Sequence, residues 1–330
     1  MTSSFRLPIA PKALPITLDY NSNILALGSC FASHMGSRLK ALKFNAQVNP
    51  FGTLFHPLSI LKLIRWSLEE QEPSEEHYLE WKELCFHYDL HSDHYAANRS
   101  ELKQQLIVLL EECRAFLKKT NLLLLTFGTA FIYRLKSSKA TVANCHKQPA
   151  ALFEKELSSI DVLAKEFAAC YRLLKIHQPS LKIILTVSPV RHIKDGIEEN
   201  TLSKATLHLL RNELCKGFDD VYYFPAYEMM MDDLRDYRFY NQDMLHPNTT
   251  AIDYIWEHFL SMLMDEQTKA LIKKVVQIQQ AIAHRPLHPK SKDHSIFLEK
   301  TLVKINALQG KLDFQDEYRD IQQKLEAFEN

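Results

Sequence analysis

"NILALGSCFASHMGSRLKAL", residues 23–42, runs from an apolar segment through a Gly-Ser-Cys turn into helical spacing. Ile24 to Leu27 is apolar without alternation, which suits a strand covered on both faces, as in a parallel sheet. Phe31, Met35, Leu39 and Leu42 then recur three to four residues apart and mark one face of a helix. The chain has only 7 glycines in 330 residues. One of them, Gly28, immediately precedes two adjacent nucleophiles where the strand hands over to the helix. At such a turn the unpaired N–H groups of the helix start face the place where an oxyanion would form, and Ser29 would present its hydroxyl. A serine at that position also caps a helix. Cys30 is a second candidate nucleophile, because a helix N-terminus lowers a thiol pKa. Against it, the residue after a strand-end nucleophile usually turns inward, and cysteine is often buried.

The same alternation extends along the chain. "NLLLLTF" (121–127), "LKIILTV" (181–187) and "VYYFP" (221–225) are apolar runs of strand length. Between them, "PLSILKLIRWSLEE" (57–70), "SELKQQLIVLLEECRAFLKK" (100–119) and "SSIDVLAKEFAACYRLLKI" (158–176) have helical spacing, the last opening on a Ser158-x-x-Asp161 capping box. This order predicts a doubly wound α/β fold, in which ligands sit at the carboxyl ends of the strands. After residue 266 the chain becomes charged and helical, broken by "HRPLHPKSKD". The expected division is therefore an α/β domain over 1–266 and a helical extension over 267–330. The extension either packs on the domain or pairs with another copy in a homo-oligomer.

Formal net charge is +0 with 46% hydrophobic and 24% charged residues, an ordinary globular composition that advertises neither a nucleic-acid nor an anionic-membrane partner. Six scattered cysteines without a C-x-x-C pair read as reduced thiols. With no signal-like apolar segment and no membrane-spanning run, a cytoplasmic location is the expectation.

A second chemical element lies in "FYNQDMLHPNTTAIDYIWEHFLSML". Asp243 and His246 stand three apart in a polar loop just before a helix. A D-x-x-H loop can supply a base and the carboxylate that fixes its tautomer, leaving the other ring nitrogen to face a nucleophile. Pro247 helps to pin His246. No further ligands at conventional spacing turn this pair into a metal site. His87, His91 and His94 in "CFHYDLHSDHY" also invite a metal reading, but the turn formers Ser92 and Asp93 make a substrate-lining lid or a structural loop the better one. No metal and no cofactor is expected.

Together, the two elements resemble the SGNH (GDSL-like) hydrolases. More specifically, "LGSCFASHMG" is similar to the signature of the GSCFA family, and so are "VANCHKQP", "SPVRHIKDG", "SKATL" and "ELCKGF…YYFPAYEMMMDDLRDYRFYNQDMLHPN". The likeness spans roughly residues 5–265. It implies a flavodoxin-like, three-layer parallel sheet and serine ester chemistry, with Ser29, Asp243 and His246 as the catalytic set. It also implies oxyanion donors from the N–H groups of Ser29 and Gly52. The superfamily's third block carries an asparagine donor, whereas "FGTAFIYR" has Ala130 there. Asn144 or His146 of "NCHK" is the expected replacement, with Thr129 as a neighbour. Asn49, Gly128, Thr129, Arg191 and His192 are expected at the substrate. Arg191 and His192 would bind an anionic group or pair with Asp195.

The function this implies is a serine esterase or acyltransferase acting through an acyl-enzyme on a small-molecule or carbohydrate ester, an O-acetyl group being the family-level guess. The alternative is a non-catalytic binding protein on the same fold, with the missing asparagine as a sign of decay. The joint presence of Ser29, Asp243 and His246 favours the enzyme.

Overall fold

The computed structural model describes residues 6–9, 12–194, 196–288 and 291–329. Its central sheet is made of β1 (Asn23–Gly28), β2 (Asn45–Val48), β5 (Leu122–Phe127), β9 (Lys182–Val187) and β10 (Val221–Tyr223), all parallel. The order across the sheet is β10-β9-β5-β1-β2. Counting sheet strands along the chain, this is the 2-1-3-4-5 order of flavodoxin-like folds, which reverses direction between β1 and β5. Four of the five strands correspond to the apolar runs of the sequence. The fifth, "NAQV", is a short and half-exposed edge strand whose polar residues hide it from pattern reading.

Side chains of the central strands alternate between two cores. Ile24, Ala26, Leu122, Leu124 and Ile184 face one side, under α1 (Cys30–Ala41) and α7 (Thr249–Leu263). Leu25, Leu27, Leu123, Leu125, Ile183 and Leu185 face the other, under α2 (Pro57–Glu69), α3 (Arg99–Leu117), α4 (Ile160–His177) and α5 (Ile197–Gly217). Every one of these strand residues is 6% exposed or less, which explains the runs without polar alternation.

Two small antiparallel units decorate the strand ends: the hairpin β3 (Tyr78–Trp81) and β4 (Leu84–His87), and the trio β6 (Phe131–Leu135), β7 (Thr141–Val142) and β8 (Phe153–Leu157). A single turn, α6 (Ala226–Glu228), leads into a π-helical turn at Met229–Asp233. The cap of α4 is Ser159, whose hydroxyl accepts from the Val162 N–H, and not Ser158 of the expected box. Ser158 is drawn away because its Oγ bonds the buried His56 Nε2 at 3.1 Å.

The tail forms α8 (Glu266–Ala283), α9 (Lys292–Asn306) and α10 (Gln315–Glu329). Ile272, Val275, Ile278, Leu298, Ile305 and Ile321 join the same core as α1 and α7, so the three helices lie against the body of this chain. Gln279 donates to Ala41 O and Lys43 pairs with Glu317 at the same junction. Truncation at Glu266 is therefore expected to uncover a contiguous apolar face on α1 and α7 and to lower solubility. Light scattering after size exclusion checks this; a truncated chain that stays soluble and monodisperse would contradict it. No helix among the described residues is long and apolar enough to cross a membrane.

Candidate active site

The carboxyl ends of β1, β5 and β9 converge with the loop before α7. Gly28 closes β1 with a φ of 138°, and a Cβ there would come well under 3.0 Å from Thr126 of β5. Only glycine fits. Its N–H donates to Asn49 Oδ1 at 2.8 Å, and Asn49 Nδ2 reaches Ser33 Oγ at 2.8 Å, tying β1, the loop after β2 and α1 together. Asn49 itself has a φ of 41°. The structure thus gives Asn49 the task of holding the turn.

Ser29 caps α1. Its Oγ accepts from the Phe31 N–H at 3.3 Å, its own N–H donates to Thr126 O at 3.1 Å, and it is 1% exposed. Cys30, the first residue of α1, is half-buried.

The His–Asp pair is fully assembled. Asp243 Oδ1 accepts from the N–H groups of Leu245 at 2.9 Å and His246 at 3.0 Å, while Oδ2 lies 2.6 Å from His246 Nδ1. The backbone donors of His246 and Leu245, with the imidazole, hold the Asp243 carboxyl down at about 2. Nδ1 is therefore the nitrogen that faces a carboxylate, and Nε2 is left for chemistry. Met244 takes a φ of 60° to close this tight loop. Among the described residues no hydrogen bond joins Ser29 Oγ to His246; catalytic hydrogen bonds often tighten only in the complex with substrate.

Arg191 serves the same loop. It donates to Met244 O at 3.3 Å, and its guanidinium lies 4.6 Å from the Tyr240 ring centroid. The expected pairing with Asp195 falls outside the described residues. His192 packs edge-on against Phe55, its buried Nε2 has no partner among the described residues, and burial pushes its pKa down to about 4. It is neutral at physiological pH and stands beside Gly128, where a Cβ would lie 3.2 Å from His192 Nε2.

The expected oxyanion donors are all engaged elsewhere. Gly52 N–H donates to Asn49 O at 2.8 Å within a turn. Asn144 Nδ2 donates to Ser92 Oγ at 3.0 Å, and its Oδ1 accepts from the His146 N–H. His146 is buried with Nε2 2.9 Å from His87 O. Thr129 Oγ1 pairs with Ser203 Oγ at 3.1 Å, and Ala130 is fully buried. Gly52 is satisfied within its own turn, whereas Asn144, His146 and Thr129 are satisfied by groups 52, 59 and 74 residues away in the chain, because a polar group taken from water must find a partner. Asn144, Thr129 and His192 nevertheless line one cavity of about 420 Å³, with Phe55 and Lys194 also on its wall.

Lys204, which sequence reading passed over, anchors the floor. Its fully buried Nζ donates to Gly128 O at 2.7 Å and Ser188 O at 2.8 Å, the carbonyls just beyond β5 and β9. Ser203 beside it holds Ala130 N–H at 2.8 Å. The motif "SKATL" is thus a clamp on two strand ends. Burial lowers the Lys204 pKa to about 7, against about 10.4 in the unfolded chain. Between those values the unfolded chain holds a proton that the folded one has released, so this group makes stability rise from about pH 7 towards about pH 10. Lys204→Met is expected to lose about 1–3 kcal/mol for each carbonyl left unpaired, and to lose that rise. Urea unfolding at about pH 7 and about pH 9 reads both effects. An unchanged slope would refute the assignment.

The histidine-rich segment does not gather His87, His91 and His94. Among the described residues, His77, His87 and Asp89 bring ligand atoms within 4.8 Å of one another. That carboxylate is already paired with Lys62, 2.6 Å away, and hydrogen-bonded to the His77 ring at 2.5 Å. His91 instead lies over Gly52, where a Cβ would overlap its own Cβ.

The GSCFA family model matches residues 23–259. A model described as GSCFA domain protein, C-terminal domain, matches residues 275–327. No curated protein matches. Among solved structures, the chain is similar to a carbohydrate esterase family 3 protein from Talaromyces cellulolyticus, with 10% identity and a TM-score of 0.26. That match covers 47% of this chain and 60% of the esterase.

Proposed function

Because the chain belongs to the GSCFA family, we propose that it catalyses acyl transfer from an ester, to water or to an acceptor hydroxyl, through an acyl-enzyme on the Gly28-Ser29-Cys30 turn. The observation that carries this reading is the Asp243–His246 pair, with its 2.6 Å bond and a carboxylate fixed by two backbone donors. Such a pair defines the tautomer of a general base and stabilises the imidazolium that forms when the base takes a proton. The 2-1-3-4-5 sheet and a nucleophile-bearing turn at its reversal support placing the chain with the SGNH hydrolases. A small acyl group on a carbohydrate is the substrate we infer from the family resemblance.

Ala130, in place of the donor asparagine, favours a non-catalytic binding protein as the second reading. Acid-quenched mass spectrometry after exposure to 4-nitrophenyl acetate, alongside release of 4-nitrophenol, separates the two. Catalytic turnover and a trapped acetyl-enzyme are expected. Neither signal across acetyl, propionyl and butyryl esters would leave the binding reading standing.

A further inference from the structure

Resting on the acyl-transfer reading above, we propose that the ester's alcohol part is an anionic sugar, carrying a carboxylate or a phosphate, bound in the cavity of about 420 Å³. Hydrogen bonds attach two walls of this cavity to the two segments of the candidate active site. One wall is the loop after β2. Thr53 and Phe55 line the cavity, and Leu54 between them donates its N–H to Gly28 O at 3.0 Å. The other wall follows β9. His192 and Lys194 line the cavity, and Arg191 before them bonds the His246 loop twice. Its N–H donates to Leu245 O at 3.5 Å and its guanidinium to Met244 O at 3.3 Å. The cavity thus borders both the turn and the base. Its volume is that of a small-molecule site and far exceeds an acetyl group, so it suits the alcohol part of the ester.

The charge of the lining is one-sided. Lys147, Lys155 and Lys194 come from three separate segments, and the described lining residues include no aspartate or glutamate. Strand alternation does the sorting on β8. Lys155 turns to the cavity, its ammonium 3.9 Å from the Phe131 ring centroid. Glu154 and Glu156 turn to the opposite face, where Lys139 and Arg134 pair with them. No ion pair joins Lys147 or Lys194 to a carboxylate among the described residues. An anion entering here meets cations and no competing carboxylate.

Lys147 is held at the cavity at a backbone cost. His146 and Lys147 both take left-handed φ values, 45° and 58°. Such conformations are strained in residues other than glycine and persist only where the surroundings enforce them. Here Asn144 Oδ1 accepts from the His146 N–H at 2.9 Å, and His146 Nε2 lies 2.9 Å from His87 O. The turn so fixed places the amides of Asn144 and Gln148 on the cavity wall beside Lys147. Across the cavity, His192 Nε2 is buried with no partner among the described residues. A hydroxyl of the bound sugar would complete it. The motifs "VANCHKQP" and "SPVRHIKDG" thereby share one task, as walls of the same site.

The test is a ligand-observed NMR titration at low ionic strength with methyl glucuronoside, glucose 6-phosphate and methyl glucoside, beside turnover of 4-nitrophenyl acetate. At least one anionic sugar is expected to bind about tenfold more tightly than methyl glucoside, and the tighter of the two names the anionic group. In Lys147→Met/Lys194→Met this preference should fall to about twofold or less. Lys300→Met, exposed on α9, should keep it. Circular dichroism and thermal unfolding confirm that each variant is folded. Equal binding of the sugars, no binding of any, or a preference that survives the double substitution overturns the proposal. Turnover in those same samples would leave the acyl-transfer reading intact. An anionic preference without turnover of any ester would keep the cavity as an anionic-sugar site and overturn the acyl-transfer reading.

Discussion

His246→Ala is expected to lower kcat for an activated ester by about 10⁴-fold or more while changing KM little, because in the proposed mechanism the imidazole acts on protons that move only in the transition state. Asp243→Asn should cost about 10³–10⁴-fold through a different route. The asparagine oxygen can still accept from the N–H groups of Leu245 and His246, so the loop keeps its shape. Its amide nitrogen, however, would donate towards Nδ1 where the carboxylate now accepts, forcing the proton onto Nε2. The base would then face the nucleophile in the wrong tautomer. Since the Asp243 carboxyl is held down at about 2, its charge is present from about pH 3 upwards. Loss of the orienting charge is therefore not what limits activity in mild acid. Steady-state kinetics on both variants, with near-native thermal unfolding as the control, tests this. Activity within about tenfold of wild type for His246→Ala would remove the base from the mechanism.

Gly28→Ala is expected to give the largest loss of stability of any single methyl addition at the site. At a φ of 138° an L side chain is strained, and this alone costs about 1–3 kcal/mol. The added Cβ would also come well under 3.0 Å from the O, C and N of Thr126, which are strand backbone and cannot swing aside. Thr126 O is the acceptor for the Ser29 N–H, so relief of the clash breaks the bond that seats the α1 cap. A total of about 3–5 kcal/mol is expected, with loss of acylation in the fraction that still folds. Gly217→Ala is the control, since a Cβ there meets nothing within 4 Å and Gly217 ends a helix. That change should be neutral or stabilise by up to about 1 kcal/mol. Equal losses from the two substitutions, read by urea unfolding, would refute the steric account.

The local features were legible in the sequence because each depends on neighbours in the chain. Unbroken apolar runs gave the strands β1, β5, β9 and β10, since a doubly covered strand has no polar face to alternate. Gly28 announced a turn that only glycine can make, and Asp243 with His246 announced a carboxylate–imidazole pair within one loop. The strand β2 was missed because its edge position leaves its side chains half-exposed, and β6 to β8 because polar residues face solvent along them.

What tertiary structure alone decided is where each group's hydrogen bonds go and which way it looks. The N–H of Ser29 and the side chains of Asn144 and His146 read as donors in sequence, yet each is satisfied by an acceptor that the fold brings to it, while the Gly52 N–H is taken by Asn49 within its own turn. Lys204 gave no local sign of its task, because the two carbonyls it joins come from residues 128 and 188. Ser29 and Cys30 were distinguishable in sequence only by residue type. The phase of α1, fixed by packing Phe31, Met35 and Leu39 against the sheet, makes Ser29 the buried cap and leaves Cys30 half-buried. Periodicity sets that a helix has faces; only contacts between distant segments set what each face meets.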